Sequence, residues 1–168
     1  YQLALKGDDR FGDKGQLLSK IHELANLLDE LKNLNYSGAC WGYNFDWQAR
    51  FSFLFPANTP TVVATTFCAE ALFKAYELTN KVEYKNLALS SASFVMNDLN
   101  RTTHHSGFLF SYSPRRGNDT VYNASLLGAK LLSLCFKYSG DKNFRNTAEQ
   151  ALRAACDGQN EDGSWVYG

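Results

Sequence analysis

The strongest constraint on this chain is that it repeats itself at an offset of sixty residues. Thr79-Asn80-Lys81-Val82-Glu83-Tyr84 is answered by Ser139-Gly140-Asp141-Lys142-Asn143-Phe144. The same offset of sixty pairs Ala64 with Ala124, Thr65 with Ser125, Ala69 with Ala129, Leu72 with Leu132 and Ala88 with Ala148. A third, partial copy opens the chain, where Gly7-Asp8-Asp9-Arg10-Phe11 matches Gly140 to Phe144 almost residue for residue in type, with Gly, Asp and Phe identical. A period of this size implies stacked supersecondary units, each burying its apolar face against the next. The expected units run over about 1–59, 60–119 and 120–168 within a single domain spanning 1–168.

Each unit reads as two helices. Tyr84, Leu87, Ala88, Ser91, Phe94 and Val95 recur at helical spacing, as do Phe144, Thr147, Ala148, Ala151, Ala154 and Ala155. This is the buried stripe of an amphipathic helix, present twice. The preceding helices, about 61–79 and 122–139, are apolar around more of their circumference, so they should be covered on several sides. Thr79-Asn80 and Ser139-Gly140 between the partners are short enough to make them antiparallel neighbours. An opening helix over about 14–33 would be the second member of a unit. The expected class is all-α: helical-hairpin repeats with short extended loop segments.

After each second helix comes a glycine-aromatic segment. Gly38-Ala39-Cys40-Trp41-Gly42-Tyr43 is the first, Gly107-Phe108-Leu109-Phe110-Ser111-Tyr112 the second, and Gly163-Ser164-Trp165-Val166-Tyr167-Gly168 the third. Stacked units would bring all three out at one end of the array. The first continues into Phe45-Asp46-Trp47-Gln48-Ala49-Arg50, where ring faces alternate with carboxylate, amide and guanidinium groups. That mixture suits a sugar, whose C–H faces stack on rings while its hydroxyls need fixed donors and acceptors. The alternative is an aromatic plug closing the end of a helical core, with the polar tips of Trp and Tyr satisfied internally.

The totals narrow the function classes. Lys+Arg and Asp+Glu balance at 17 each, which leaves no basic surplus to draw the chain onto nucleic acid. No apolar run approaches the roughly 18 residues of a membrane span. Cys40, Cys68, Cys135 and Cys156 lack metal-ligand spacing and read as buried, reduced thiols in a cytoplasmic protein. No nucleophile elbow, phosphate-cradling loop or dinucleotide fingerprint is present, so no cofactor is expected.

The paired helices with Gln159-Asn160-Glu161-Asp162-Gly163-Ser164-Trp165 at the turn resemble the α/α-toroid families. These are the prenyltransferase and terpenoid-cyclase repeats and the six-hairpin glycosidases. The residues over Cys40–Arg50, Ser111–Pro114 and Val121–Ser125 are most similar to uncharacterised toroid proteins associated with bacterial or archaeal polysaccharide biosynthesis. The resemblance implies part of an (α/α) toroid acting on or modifying a surface polysaccharide. It also implies about twelve helices where five are read, so the chain is expected to be a piece of a longer toroid. A terpenoid-cyclase or prenyl-binding toroid is the first alternative, weakened by the lack of an Asp-Asp-x-x-Asp run. A non-catalytic oligosaccharide-binding module is the second.

In such toroids the first helix of each pair lies inward, with its N-terminus toward the ligand funnel. Pro60, Thr61, Thr65, Tyr122, Asn123 and Ser125 would then rim that funnel, either contacting ligand or capping the helices. Asp46 is the candidate acid or base, because surrounding rings would desolvate it. Glycoside cleavage needs a second carboxylate. Glu70 is the nominee, against its competing role as an i,i+4 surface partner of Lys74. Trp41, Tyr43, Trp47 and Tyr112 are expected to stack on an oligosaccharide, with Arg50 and Arg115 as charge partners and Tyr122 and Asn123 as polar contacts. Asp98 and Asp119 are weaker carboxylate nominees. His104-His105 reads as a solvated loop, since adjacent histidines rarely chelate one ion without further ligands nearby; no metal site is expected.

Overall fold

The computed structural model describes residues 12–48 and 53–167. It is mostly helical. Five helices run α1 (Lys14–Glu30), α2 (Val62–Thr79), α3 (Val82–Asn97), α4 (Tyr122–Ser139) and α5 (Lys142–Asp157) among the described residues. Two small antiparallel ribbons interrupt them: β1 (Trp47–Gln48) with β2 (Leu54–Phe55), and β3 (Arg101–His104) with β4 (Gly107–Phe110).

The α2–α3 and α4–α5 hairpins share boundaries sixty residues apart. Each tight corner needs one left-handed residue, supplied by Asn80 (φ 57°) in the first and Gly140 (φ 76°) in the second. These are the residue types that adopt that conformation at least cost. Thr61 caps α2 by accepting from the Ala64 N–H, and Asp141 caps α5 through Asn143. The opening helix ends three residues sooner than the apolar pattern suggested, because Asn33 leaves it to donate its N–H to the Cys40 carbonyl.

Helices α2 and α4 lie side by side and parallel. Glu70 accepts from Lys130 at 2.7 Å and Glu77 from Lys137 at 3.0 Å, pairs sixty residues apart. The expected Glu70–Lys74 surface pair gives way to this cross-helix contact, and Lys74 turns instead to Glu77 at 2.7 Å. Between the charged rows, Phe73 stacks on Tyr138 with centroids 4.2 Å apart. The core lies behind this seam, where Leu72, Phe73, Phe94, Leu131 and Leu132 meet the small faces of Ala88, Ala92, Ala148 and Ala151. The expected stripes of α3 and α5 are the buried ones, apart from Leu87 and Phe144, which are partly covered. An outer groove of about 370 Å³ between α4 and α5 is lined by Leu126, Ser133, Phe136 and Leu152 among others.

Two glycines seat the connections on the second helices. A Cβ at Gly38 would lie 2.0 Å from the Ser90 carbonyl oxygen of α3, and one at Gly107 would lie 2.1 Å from the Gln150 carbonyl oxygen of α5. Ser90 and Gln150 are themselves sixty residues apart. Since backbone cannot yield as a side-chain tip can, Gly38→Ala and Gly107→Ala should each cost about 1–3 kcal/mol in denaturant unfolding.

The charged seam carries its own pH signature. Lys74, then Tyr138 and Lys137, hold the Glu77 carboxyl down at about 2. A depressed carboxylate stabilises the fold fully above its ordinary range, near ~4.3, and that contribution is lost as pH falls toward the folded value. Glu77→Gln should therefore lower the melting temperature at pH 7, and by progressively less as pH falls toward 2.

Candidate functional site

The connections converge on the N-terminal ends of α2 and α4. Thr61 donates its N–H to the Trp41 carbonyl at 3.0 Å, and Val62 donates to the Tyr112 carbonyl at 2.9 Å. The Trp41 N–H donates to Thr65 Oγ1 at 3.1 Å, and the Phe110 N–H donates to Ser125 Oγ at 3.0 Å. Thr65 and Ser125 are buried, so of the two roles open to these positions the structural one is filled. Each hydroxyl holds a connection against its helix.

Trp41 belongs to this framework. It is 4% exposed, and its Nε1–H donates to the Leu28 carbonyl, the third residue from the end of α1, at 2.8 Å. Trp165 does the same for α5, donating to Ala155, also third from its helix end, at 2.7 Å. Helix ends leave carbonyls without intrahelical donors. The tryptophans of the first and third segments return to satisfy one each. Trp41 therefore presents no open ring face to a ligand.

The remaining rings form a cluster. Trp47 stacks on Phe55 at 5.4 Å and on Tyr112 at 5.5 Å, while Tyr43 stacks on Phe45 at 5.4 Å. Phe53 joins it 5.6 Å from Tyr112. Tyr112 is buried at the centre, and burial, with the Tyr43 and Tyr167 phenols nearby, raises its hydroxyl above the ordinary value. Tyr43, Trp47 and Phe53 are partly exposed, and Phe45 is 55% exposed. The cluster is plug at its base and surface at its rim.

Two grooves open beside it. One, about 450 Å³, is lined by Phe53, Asn118, Asp119, Thr120, Val121 and Tyr167. The other, about 320 Å³, is lined by Tyr122, Asn123, Leu126, Trp165, Val166 and Tyr167. Tyr167 borders both, so they flank the start of α4. The helix there has no side-chain cap on its first N–H groups. The rest of the groove floor is rigidly held: Asn118 is buried, accepts from the Ser113 N–H at 2.8 Å and donates to the Arg115 carbonyl at 2.6 Å.

The nominated residues thus separate. Tyr122 and Asn123 line a groove, whereas Trp47 and Tyr43 belong to the aromatic cluster and line neither groove. Asp46 is exposed rather than ringed by aromatics, and its Oδ1 accepts the Ala57 N–H at 2.7 Å, which orders the β1–β2 region. Glu70 faces Lys130 on the α2–α4 seam. The two nominated carboxylates serve different contacts, and neither lines a groove. Asp98 receives the Ser37 N–H and hydroxyl at 2.8 and 2.9 Å and pins the first connection to α3. Arg115 is exposed at a turn, outside both grooves. Arg50 lies outside the described residues. Asp119, a weaker nominee from the sequence, is the carboxylate the fold puts in a groove, where it accepts from Asn100 Nδ2 at 3.3 Å. Phe53 and Tyr167 were not nominated. Phe53 stands in an alternating run ahead of β2, and Tyr167 closes the third glycine-aromatic segment.

His104 and His105 are joined by a third potential ligand that spacing did not suggest. Asp157, the last residue of α5, places Oδ2 3.3 Å from His105 Nε2. Of the four free cysteines, Cys40 and Cys135 are buried, Cys68 is partly covered and Cys156 is exposed, contrary to the expectation that all are buried. Burial pushes the thiols of Cys40 and Cys135 up to about 12 and Cys68 up to about 11. No described helix is long and apolar enough to cross a membrane. Compared with known protein families and with curated proteins, the chain matches none.

Because the thiolate is the reactive form, a colorimetric thiol reagent at pH 8 should titrate one cysteine quickly in the native protein. Cys156→Ser should abolish that phase, and the other three should react only on unfolding.

Proposed function

We propose that this chain is an arc of an α/α toroid that binds an oligosaccharide along the two grooves flanking the start of α4. Support for the arc comes from the parallel, in-register contact of α2 with α4 and from the shared boundaries of the two hairpins. One observation carries the ligand reading: aromatic groups (Phe53, Tyr122, Trp165, Tyr167) and short polar groups (Asn118, Asp119, Thr120, Asn123) line adjoining, open grooves. Rings provide stacking platforms, and amide, carboxylate and hydroxyl groups provide the directional contacts that distinguish one sugar hydroxyl from another.

Binding is favoured over hydrolysis. Hydrolysis by the common route needs two carboxyl groups flanking one bond. Asp119 lies in a groove, whereas Asp46 and Glu70 are committed to the Ala57 N–H and to Lys130. The charged side chain lining the grooves is Asp119, an acceptor for sugar hydroxyls that disfavours an anionic ligand, so a neutral sugar is the better fit. A polysaccharide-acting role in the cytoplasm remains part of this proposal.

Tryptophan fluorescence offers the test, since Trp165 is 37% exposed and lines a groove. Titration with neutral oligosaccharides should change the emission saturably. Tyr167→Ala and Asp119→Asn should each weaken binding about tenfold, equivalent to ~1.4 kcal/mol, while Asp46→Asn should leave it intact. An oligosaccharide that binds equally well to the Tyr167 and Asp119 variants would overturn the assignment. Turnover abolished by Asp46→Asn would restore the catalytic reading.

A further inference from the structure

We propose that His104, His105 and Asp157 form a binding site for a divalent transition-metal ion of the zinc type. The three residues each offer one ligand atom, and these atoms all lie within 4.8 Å of one another. The proposal is independent of the oligosaccharide reading, because none of the three lines either groove.

The distances favour an ion over a simple ion pair. Zinc takes imidazole nitrogen and carboxylate oxygen at about 2.0–2.2 Å in tetrahedral array, which sets neighbouring donors about 3.3 Å apart. His105 Nε2 and Asp157 Oδ2 stand 3.3 Å apart, long for a charge-assisted hydrogen bond and right for one edge of that tetrahedron. The His104 donor lies within 4.8 Å of both. The two imidazoles already lie on one side, with centroids 4.2 Å apart, because the chain turns at His105 and breaks the strand alternation that would have opposed them. Ser106 Oγ sits 2.9 Å from His104 Nδ1 and holds that ring, leaving Nε2 for the ion. Such an outer contact is what metal-bound imidazoles ordinarily have.

The scaffold beneath is stiff. Gly107 brings the β3–β4 ribbon flush against the Gln150 carbonyl, and Leu109 packs against Ala154 and Ala155, so the ribbon tip and the end of α5 are fixed relative to each other. The ion would also sit at a helix C-terminus, where the backbone dipole favours positive charge. Two imidazoles and one carboxylate suit zinc, cobalt(II), nickel(II) or copper(II) better than calcium or magnesium, which prefer oxygen. Three protein ligands leave a fourth position for water or for a group from a partner.

Calorimetric titration of the whole chain with zinc chloride should give one ion per chain, and zinc should raise the melting temperature. His104→Ala, His105→Ala and Asp157→Asn should each weaken binding by at least about tenfold, since even the outer partners of metal ligands are worth about 10–100-fold. His22→Ala should bind as the parent does; His22 is the remaining histidine and lies on α1 beside the Tyr84 hydroxyl. Circular dichroism would confirm that each variant is folded. Cobalt(II) should give visible bands in the parent that disappear in His105→Ala. No binding, or binding that survives any of the three ligand substitutions, would overturn the site. A cobalt–thiolate charge-transfer band would likewise overturn it by assigning the ion to a cysteine.

Discussion

Helices α2 and α4 meet through positions sixty residues apart, and most of the molecule is arranged around that seam. Glu70 reaches Lys130, Glu77 reaches Lys137, and the stacked rings of Phe73 and Tyr138 lie between the charged rows. The ion pairs are partly exposed, and pairs of that kind contribute little by themselves. What they do is hold register. Stability resides in the close-packed apolar surface behind them, where Leu72, Leu131 and Leu132 are fully buried against alanine faces of α3 and α5. Small residues there let the second helices approach the first closely.

That register determines where the connections go. Once α3 and α5 are placed, Gly38 and Gly107 lie on equivalent carbonyls of those helices, with no room for a side chain. From these seats the first two segments run back to the N-terminal ends of the paired helices. Trp41 and Trp165 meanwhile satisfy the exposed carbonyls at the ends of α1 and α5. Glycine in the first two segments and tryptophan in the first and third thus have structural causes: close approach for one, a helix-end hydrogen bond for the other. The partly exposed rings that remain, Tyr43, Phe45, Trp47 and Phe53, are not held to that duty, and Phe53 lines one of the grooves.

Much of the helical framework was legible in the sequence, because a buried helix face leaves a 3.6-residue period and a left-handed corner demands asparagine or glycine. Tyr84 to Val95 and Phe144 to Ala155 were read as buried stripes on that ground alone, and only Leu87 and Phe144 among the stripe positions are partly covered. The site was less legible. Asp46, set among four aromatic residues in sequence, looked enclosed, yet it faces solvent and holds the Ala57 N–H. Neighbours in sequence within a loop need not be neighbours in space, and an extended segment sends adjacent side chains to opposite sides. Glu70 was misassigned to Lys74 because helical spacing describes partners on one helix and is silent about the next.

The amino-acid sequence by itself determined the hairpins, their boundaries and the sixty-residue equivalence, since each follows from local propensity and periodicity. Tertiary structure alone decided which aromatic residues are framework and which are surface, because that depends on where a helix end leaves a carbonyl unpaired. It alone put Asp119 in a groove with Tyr167 and carried Asp157 to the two histidines. Those meetings join residues far apart in the chain. The second exists because backbone packing between a ribbon and a helix, a contact with no periodic trace in the sequence, brings its members to one place.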